Sequence, residues 1–161
     1  KKIIQAMTNE LVETLRIKAA SVRLLDEEKL TVKLITSFGL SDQYLNKGTV
    51  AVDKNIARAL KGETIYIKDV STDPGIQYKK EKAEEGIVSM LYVPIKSQDK
   101  VIGVLNIYSS WSREFTDDEI LLVQALAYQG GLVISNASMY IMLQEDIKDL
   151  KDNIWSHKCW F

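Results

Sequence analysis

The sequence holds a single cysteine, Cys159, and a single histidine, His157, both at its C-terminal end. One thiol excludes an intramolecular disulfide, and two such ligands are too few for a structural zinc or iron–sulfur site. A reducing, cytoplasmic location fits that usage. Net charge is also missing: 21 Lys and Arg stand against 22 Asp and Glu, so no field draws the chain onto nucleic acid or an anionic membrane. No uninterrupted run of about 18 apolar residues occurs. The stretch Lys1 to Leu15 interleaves Asn9, Glu10 and Glu13 with its apolar positions, unlike a signal peptide. Direct membrane insertion is therefore not expected. No Gly-rich phosphate loop, Walker-type run or Asp-rich metal cluster is present. A Ser–His or Cys–His pair would have to draw on the extreme C-terminus. The chain is not expected to be an enzyme.

What is present describes one globular domain. An apolar fraction of 46% and a charged fraction of 27% over 161 residues are ordinary for a folded chain and leave no room for a second full domain. The chain starts at Lys1 rather than Met, which predicts a piece of a longer protein.

Ile4, Met7, Leu11 and Leu15 recur at spacings of three and four, as an amphipathic helix over 1–16 requires. Ala20 to Leu25 and Leu30 to Phe38 then read as two strands joined by the polar turn Asp26-Glu27-Glu28-Lys29. Ser41 can cap a short helix through Leu45. Asn55 can cap another from Ile56 to Leu60, which Gly62 ends. A strand is expected from Thr64 to Val70, a turn at Asp73-Pro74-Gly75, and a solvated helix or flap from Tyr78 to Glu85. Val88 to Ile95 and Val101 to Ser109 form a second hairpin about Ser97 to Lys100, with Pro94 needing an unpaired or bulged position.

Thr116 and Glu119 form a capping box. No proline follows it, and apolar residues recur from Ile120 to Ile154. Continued to Asp152, this helix would be roughly 55 Å long, more than a small domain can cover. Gly130-Gly131 reads as a point of close packing rather than a break, because the pattern resumes in phase. Strands joined by hairpins give an antiparallel sheet, so the fold class is α+β: five to six strands over 19–109, N- and C-terminal helices on one face, short helices and loops on the other. The last helix enters the domain over 116–140, and 141–161 forms a helical extension and tail.

Several stretches together resemble the GAF domain family, the small-molecule-binding regulatory modules of sensor kinases, transcription activators, cyclases and phosphodiesterases. They are Ala20 to Asp26, Ser37-Phe38-Gly39-Leu40, Ala59 to Glu63, Asp69 to Pro74, Ser89 to Ile95, Val101 to Tyr108 and Phe115 to Glu119, followed by Leu126-Ala127 and Asn136-Ala137. The similarity covers residues 1–140. It implies a ligand pocket on the sheet face opposite the terminal helices, roofed by short helices and the segment from Asp69 to Glu85.

Within that family, members that carry a covalent bilin need a cysteine beside the pocket, and Cys159 lies past the body of the domain. Haem-binding members supply an axial histidine from the pocket wall, and His157 lies in the tail too. Members that reduce methionine sulfoxide use several cysteines. Cyclic-nucleotide binders pair an Asn-Lys after the fifth strand with a Phe and an Asp-Glu at the last helix; here Ile107 follows Asn106, and Glu119-Ile120 stands in the acidic register. No cofactor is predicted, and a divergent cyclic-nucleotide binder is kept as an alternative.

The resemblance points to an unknown small metabolite, for which Arg23, Ser37, Tyr66, Asp69, Tyr78, Ser89, Tyr92, Asn106 and Tyr108 are candidate ligand-binding residues. Arg23 can clamp a carboxylate or phosphate, or pair with Asp26 or Glu28 on the sheet. Tyr66 and Tyr78 can stack on a ring or cap the core. Asn106 is a ligand donor or a fold residue. Met139, Leu143, Ile147 and Leu150 recur close to a coiled-coil period and predict a parallel homodimer feeding an output domain, such as a kinase, cyclase or transcription regulator. The competing reading is a ligand-free dimerisation module.

Overall fold

The structure, a computed structural model, describes residues 2–158, with side chains described over 2–137. Helix α1 (Lys2–Leu15) leads into the hairpin β1 (Ala19–Asp26) and β2 (Thr31–Phe38), then the short helices α2 (Asp42–Leu45) and α3 (Lys54–Leu60). Strand β3 (Ile65–Ile67), helix α4 (Lys79–Glu85), the hairpin β4 (Ser89–Ser97) and β5 (Lys100–Ser109), and helix α5 (Asp117–Lys158) complete the chain. The strands form one sheet in the order β2-β1-β5-β4-β3, and every pairing is antiparallel.

Side chains of a strand point alternately to opposite faces, and here that alternation divides two cores. Ala20, Val22, Leu91, Val93, Ile95, Leu105 and Ile107 lie on the face covered by α1 and α5, where Ile4, Leu11, Leu15, Val123 and Ala127 meet them. Ala19, Met90, Tyr92, Val104 and Tyr108 lie on the other face, under α2, α3 and the segments between them. The central strands β1, β5 and β4 are thus buried on both sides, which explains why they read as nearly continuous apolar runs.

Local chemistry fixes the joints. The Glu119 backbone N–H donates to Thr116 Oγ1 at 3.2 Å and the Thr116 N–H to Glu119 Oε1 at 3.0 Å, the reciprocal capping box read from the sequence. Ser41 caps α2. The α3 cap is Asp53, two residues before the expected Asn55: Asp53 Oδ1 accepts from the Ile56 N–H at 2.8 Å. Asn55 is buried instead and donates to Asp73 Oδ1 at 3.0 Å, tying α3 to the turn at Gly75. Strand β3 is also shorter than expected, pairing only with Met90 to Tyr92, so Pro94 sits in β4 beyond its end.

Helix α5 runs unbroken through Gly130-Gly131. A Cβ on Gly131 would fall 2.0 Å from the Lys96 carbonyl oxygen, so glycine lets this helix press directly on the backbone of β4. By length and composition the span Asp117–Ala137, of mean hydropathy 1.4, is apolar enough to cross a membrane. Here one stripe of it, Val123, Ala127, Gly130 and Gly131, is buried in the domain. Leu121, Tyr128 and Leu132 are exposed on another. The side chains of Met139, Leu143, Ile147, Leu150 and His157, and all of Cys159, lie outside the described residues.

Candidate ligand cavity

On the face turned away from α5, the sheet and its roof enclose a small cavity. Its floor is Arg23 of β1, Met90 and Tyr92 of β4, and Asn106 and Tyr108 of β5; α2, α3, α4 and their connections supply Tyr44, Lys47, Val50, Asp53, Ile56, Gln77, Tyr78 and Lys82. The volume open to the centre of a water-sized sphere is about 20 Å³, room for a water or two.

The segment at residues 50–52 is held along the edge of β2 by Val32 N–H to Val50 O and Val52 N–H to Leu30 O, both 2.9 Å. This sets Val50 and Asp53 at the rim. Gln77 then ties the loop before α4 to the same segment, donating to Ala51 O at 2.7 Å and Asp53 Oδ2 at 2.9 Å. Helix α4 is fastened at its far end, where Glu85 accepts from the Ser41 N–H at 2.7 Å and the Ser41 hydroxyl at 2.6 Å. Its near end starts from Tyr78 in the left-handed region at φ 57°, a conformation that is strained for a residue bearing a side chain. The Tyr78 hydroxyl donates to Thr49 O at 2.6 Å.

The electrostatics of the lining are lopsided. Arg23 and Lys82 are 6% and 4% exposed, and Lys47 is half-buried. Among the described residues none of the three forms an ion pair. Arg23 donates to the Val32 carbonyl at 3.3 Å and Lys82 to the Gln77 carbonyl at 2.8 Å. The Lys47 and Lys82 ammoniums lie 4.0 and 5.8 Å from the centroid of the Tyr44 ring, partial compensation through the ring's negative face. Burial, then the nearby Arg23 charge, pushes Lys47 down to about 8. Lys82 is also brought to about 8, by burial and Arg23 against the opposing pull of Asp53. Asp53, the one carboxylate in the lining, has both oxygens engaged by the α3 cap and Gln77.

The hydroxyls of Ser21 and Tyr108 share a hydrogen bond at 2.9 Å, and Asn106 Nδ2 lies 3.4 Å from each oxygen. Asn106 Oδ1 is buried and accepts nothing from the described residues. Burial pushes the Tyr44 and Tyr92 phenols well above their usual range, and the Tyr92 hydroxyl donates to Met90 Sδ at 3.8 Å.

Five of the nine candidate residues, Arg23, Tyr78, Tyr92, Asn106 and Tyr108, meet in this cavity. The other four do not. Tyr66 lies between Ile65 and Ile67, which face the cavity-side core, so its ring projects to the opposite face and packs edge-on to Phe115 at 6.2 Å. Asp69 is exposed and accepts from the Ser71 N–H and hydroxyl at 2.9 and 2.6 Å, which lowers its carboxyl below the usual range. Ser89 is fully buried and donates to Trp111 O at 2.7 Å, fixing the link from β5 to α5. Ser37 pairs with Ser21 across the sheet but lies outside the lining. Arg23 also departs from the expected sheet ion pair: Asp26 is bridged by Lys33 at 3.3 Å instead. The reading of the sequence missed Tyr44, Lys47, Asp53, Gln77 and Lys82.

A separate apolar gap lies between α1, α5 and the sheet, bounded by Ile4, Leu11, Val22, Leu105, Leu126 and Ile134 among others. It offers no convergent polar groups.

The fold has close relatives among solved structures. A domain of a putative two-component sensor histidine kinase from Sinorhizobium meliloti superposes with a TM-score of 0.74 at 21% identity, covering 89% of this chain and 96% of that one. The GAF domain of a phosphoenolpyruvate-protein phosphotransferase from Coxiella burnetii gives a TM-score of 0.76 at 22% identity, covering 86% and 84%. The PixJ GAF domain of Thermosynechococcus elongatus, in its blue-light-absorbing form, gives 0.70 at 16% identity, covering 90% of each. No curated protein sequence matches. The profile of the GAF domain family matches residues 1–135. With this five-stranded antiparallel sheet between terminal helices and a roofed face, the chain belongs to the GAF domain family.

Proposed function

We propose that this domain senses a small molecule bound in the cavity beneath α4 and passes its occupancy through the sheet to α5. The observation that carries this reading is the convergence of buried, incompletely compensated polar groups, Arg23, Lys82 and Asn106 Oδ1, in one cavity. Buried polar groups are ordinarily satisfied within the fold, so a set aimed at one space favours a ligand as their partner.

The strands offer the route. On β5, Asn106 and Tyr108 face the cavity while Leu105 and Ile107 face the helices; on β4, Met90 and Tyr92 alternate with Leu91, Val93 and Ile95. A ligand that shifts either strand shifts the bed on which α5 lies, and its differential affinity for the two positions sets the size of the response. In this reading α5 is homodimeric. The exposed stripe Leu121, Tyr128 and Leu132 continues in sequence into Met139 and Leu143 at the spacing of a coiled-coil seam. A second copy of the chain, parallel to the first, is the occupant that such a seam fits. The two α5 helices would then lead from the sensory part, residues 1–140, through the extension 141–161 into an output domain of a longer cytoplasmic signalling protein. The kinase and phosphotransferase origins of solved relatives support that placement.

Native mass spectrometry of freshly purified protein tests both halves. It should show a dimer retaining a small molecule, and Leu143→Asp should reduce it to monomer. Adding a ligand at about 100 times its Kd should raise Tm by roughly 5–10 °C. A dimer that retains nothing, and that no compound in a metabolite and nucleotide panel stabilises, would leave the ligand-free dimerisation module as the correct reading.

A further inference from the structure

The charge of the lining narrows the class of molecule. Arg23, Lys47 and Lys82 bring three cations to the cavity against the single carboxylate of Asp53, which is already engaged by the α3 cap and by Gln77. A buried cation without a counter-ion is costly to maintain. A fold that places two of them under its roof and a third beside them is therefore poised for an anion. Arg23 contributes a planar fork suited to two oxygens at once, and the lysines contribute point charges that follow a ligand of either geometry. Below them lie the hydroxyls of Tyr92 and Tyr108 and the free acceptor of Asn106. That acceptor calls for a hydroxyl or amino group on the same ligand. The apolar walls, Val50, Ile56 and Met90, suit a short carbon skeleton.

Resting on the reading of this cavity as a ligand site, we propose that its ligand is a compact organic dianion, a dicarboxylate or phosphate monoester bearing a hydrogen-bond donor, held by Arg23, Lys47 and Lys82. Such a molecule exceeds the about 20 Å³ now open, so its entry displaces the roof. Helix α4 is the part to move, because it begins at the strained Tyr78 and carries Lys82 on its inner side. Closing over an anion would exchange the Lys82 contact with the Gln77 carbonyl for a charged partner.

The test is a thermal-shift and calorimetric titration of the full chain with malate, succinate, glycerol 3-phosphate and inorganic phosphate, at fixed ionic strength. Neutral malamide serves as the uncharged control. At least one organic dianion should bind saturably and malamide should not. Arg23→Met and Lys82→Met should each weaken that binding at least about tenfold. Lys47→Met, at a half-buried position, should weaken it in the same direction and guards against a variant that fails to fold. Preference for malate or for glycerol 3-phosphate identifies the carboxylate or phosphate source. Equal binding by the parent and all three variants, or binding of malamide as tightly as malate, overturns the dianion. If native mass spectrometry then shows a retained neutral molecule, the cavity remains a ligand site and only its charge class is wrong. If nothing is retained and nothing binds, both readings fall together.

Discussion

The two faces of the sheet are built on opposite terms. The helix face is apolar: Leu105, Ile107, Leu91 and Val93 meet α1 and α5 with 4% exposure or less, and Gly131 lets the backbones touch. The cavity face mixes buried tyrosines with Arg23, Lys82 and Asn106 and is roofed by helices of four to seven residues. Helices that short contribute little stability of their own. Rigidity and stability are thus concentrated on the helix side, and adaptability on the cavity side.

Substitutions should separate the faces. Ile107→Ala, on the helix face at 0% exposure, should cost about 2–5 kcal/mol by leaving a cavity. Chemical denaturation reads that loss, and a value under about 1 kcal/mol would remove the contrast. Lys82→Met on the cavity face should cost nothing, or add up to about 1 kcal/mol, because it removes a buried cation without a paired carboxylate. A loss of several kcal/mol there would mean that the ammonium serves the fold rather than a ligand.

The smallest effect is in the pH dependence, and it carries a sign. Lys82 is faced by Arg23 of β1, Asp53 before α3 and Glu81 of α4; Lys47 is faced by Arg23, Lys82, Glu81 and Glu85. Both lysines titrate near 8 in the folded protein against 10.5 for the free side chain. Below about pH 8 both folded and unfolded chains hold these protons, and the folded chain bears the full burden of the buried charge. From about 8 to 10 the unfolded chain binds more protons, so stability rises with pH. Above 10 the trend reverses, since the Tyr44 and Tyr92 phenols, held protonated in the fold, ionise on unfolding. Dianion binding should weaken over the same interval from 8 to 10, opposite to the trend in stability. Parallel Tm series with and without malate check both slopes.

Much of the helix face was legible in the sequence because its signals are local. The spacing of Ile4, Leu11 and Leu15, the alternation through β4 and β5, and the Thr116–Glu119 box each act within a few residues of themselves. The cavity face was legible only where it uses strands: Arg23, Tyr92, Asn106 and Tyr108 share a face by the period of two. Lys47, Gln77 and Lys82 come from segments without periodicity. Lys82 in particular sits in a charged heptapeptide whose composition reads as solvated, yet packing against α2, where its ammonium approaches the Tyr44 ring, buries it. Tyr66 went astray for the converse reason. Strand β3 is three residues long, too short for alternation to announce which side is in.

The alternation along β5 has a consequence for how such a domain changes over time. Asn106 and Tyr108 line the cavity while Leu105 and Ile107, which alternate with them, form the bed of α5, so the first pair can be replaced with the second left in place. The lining of the cavity can therefore change without rebuilding the packing beneath α5.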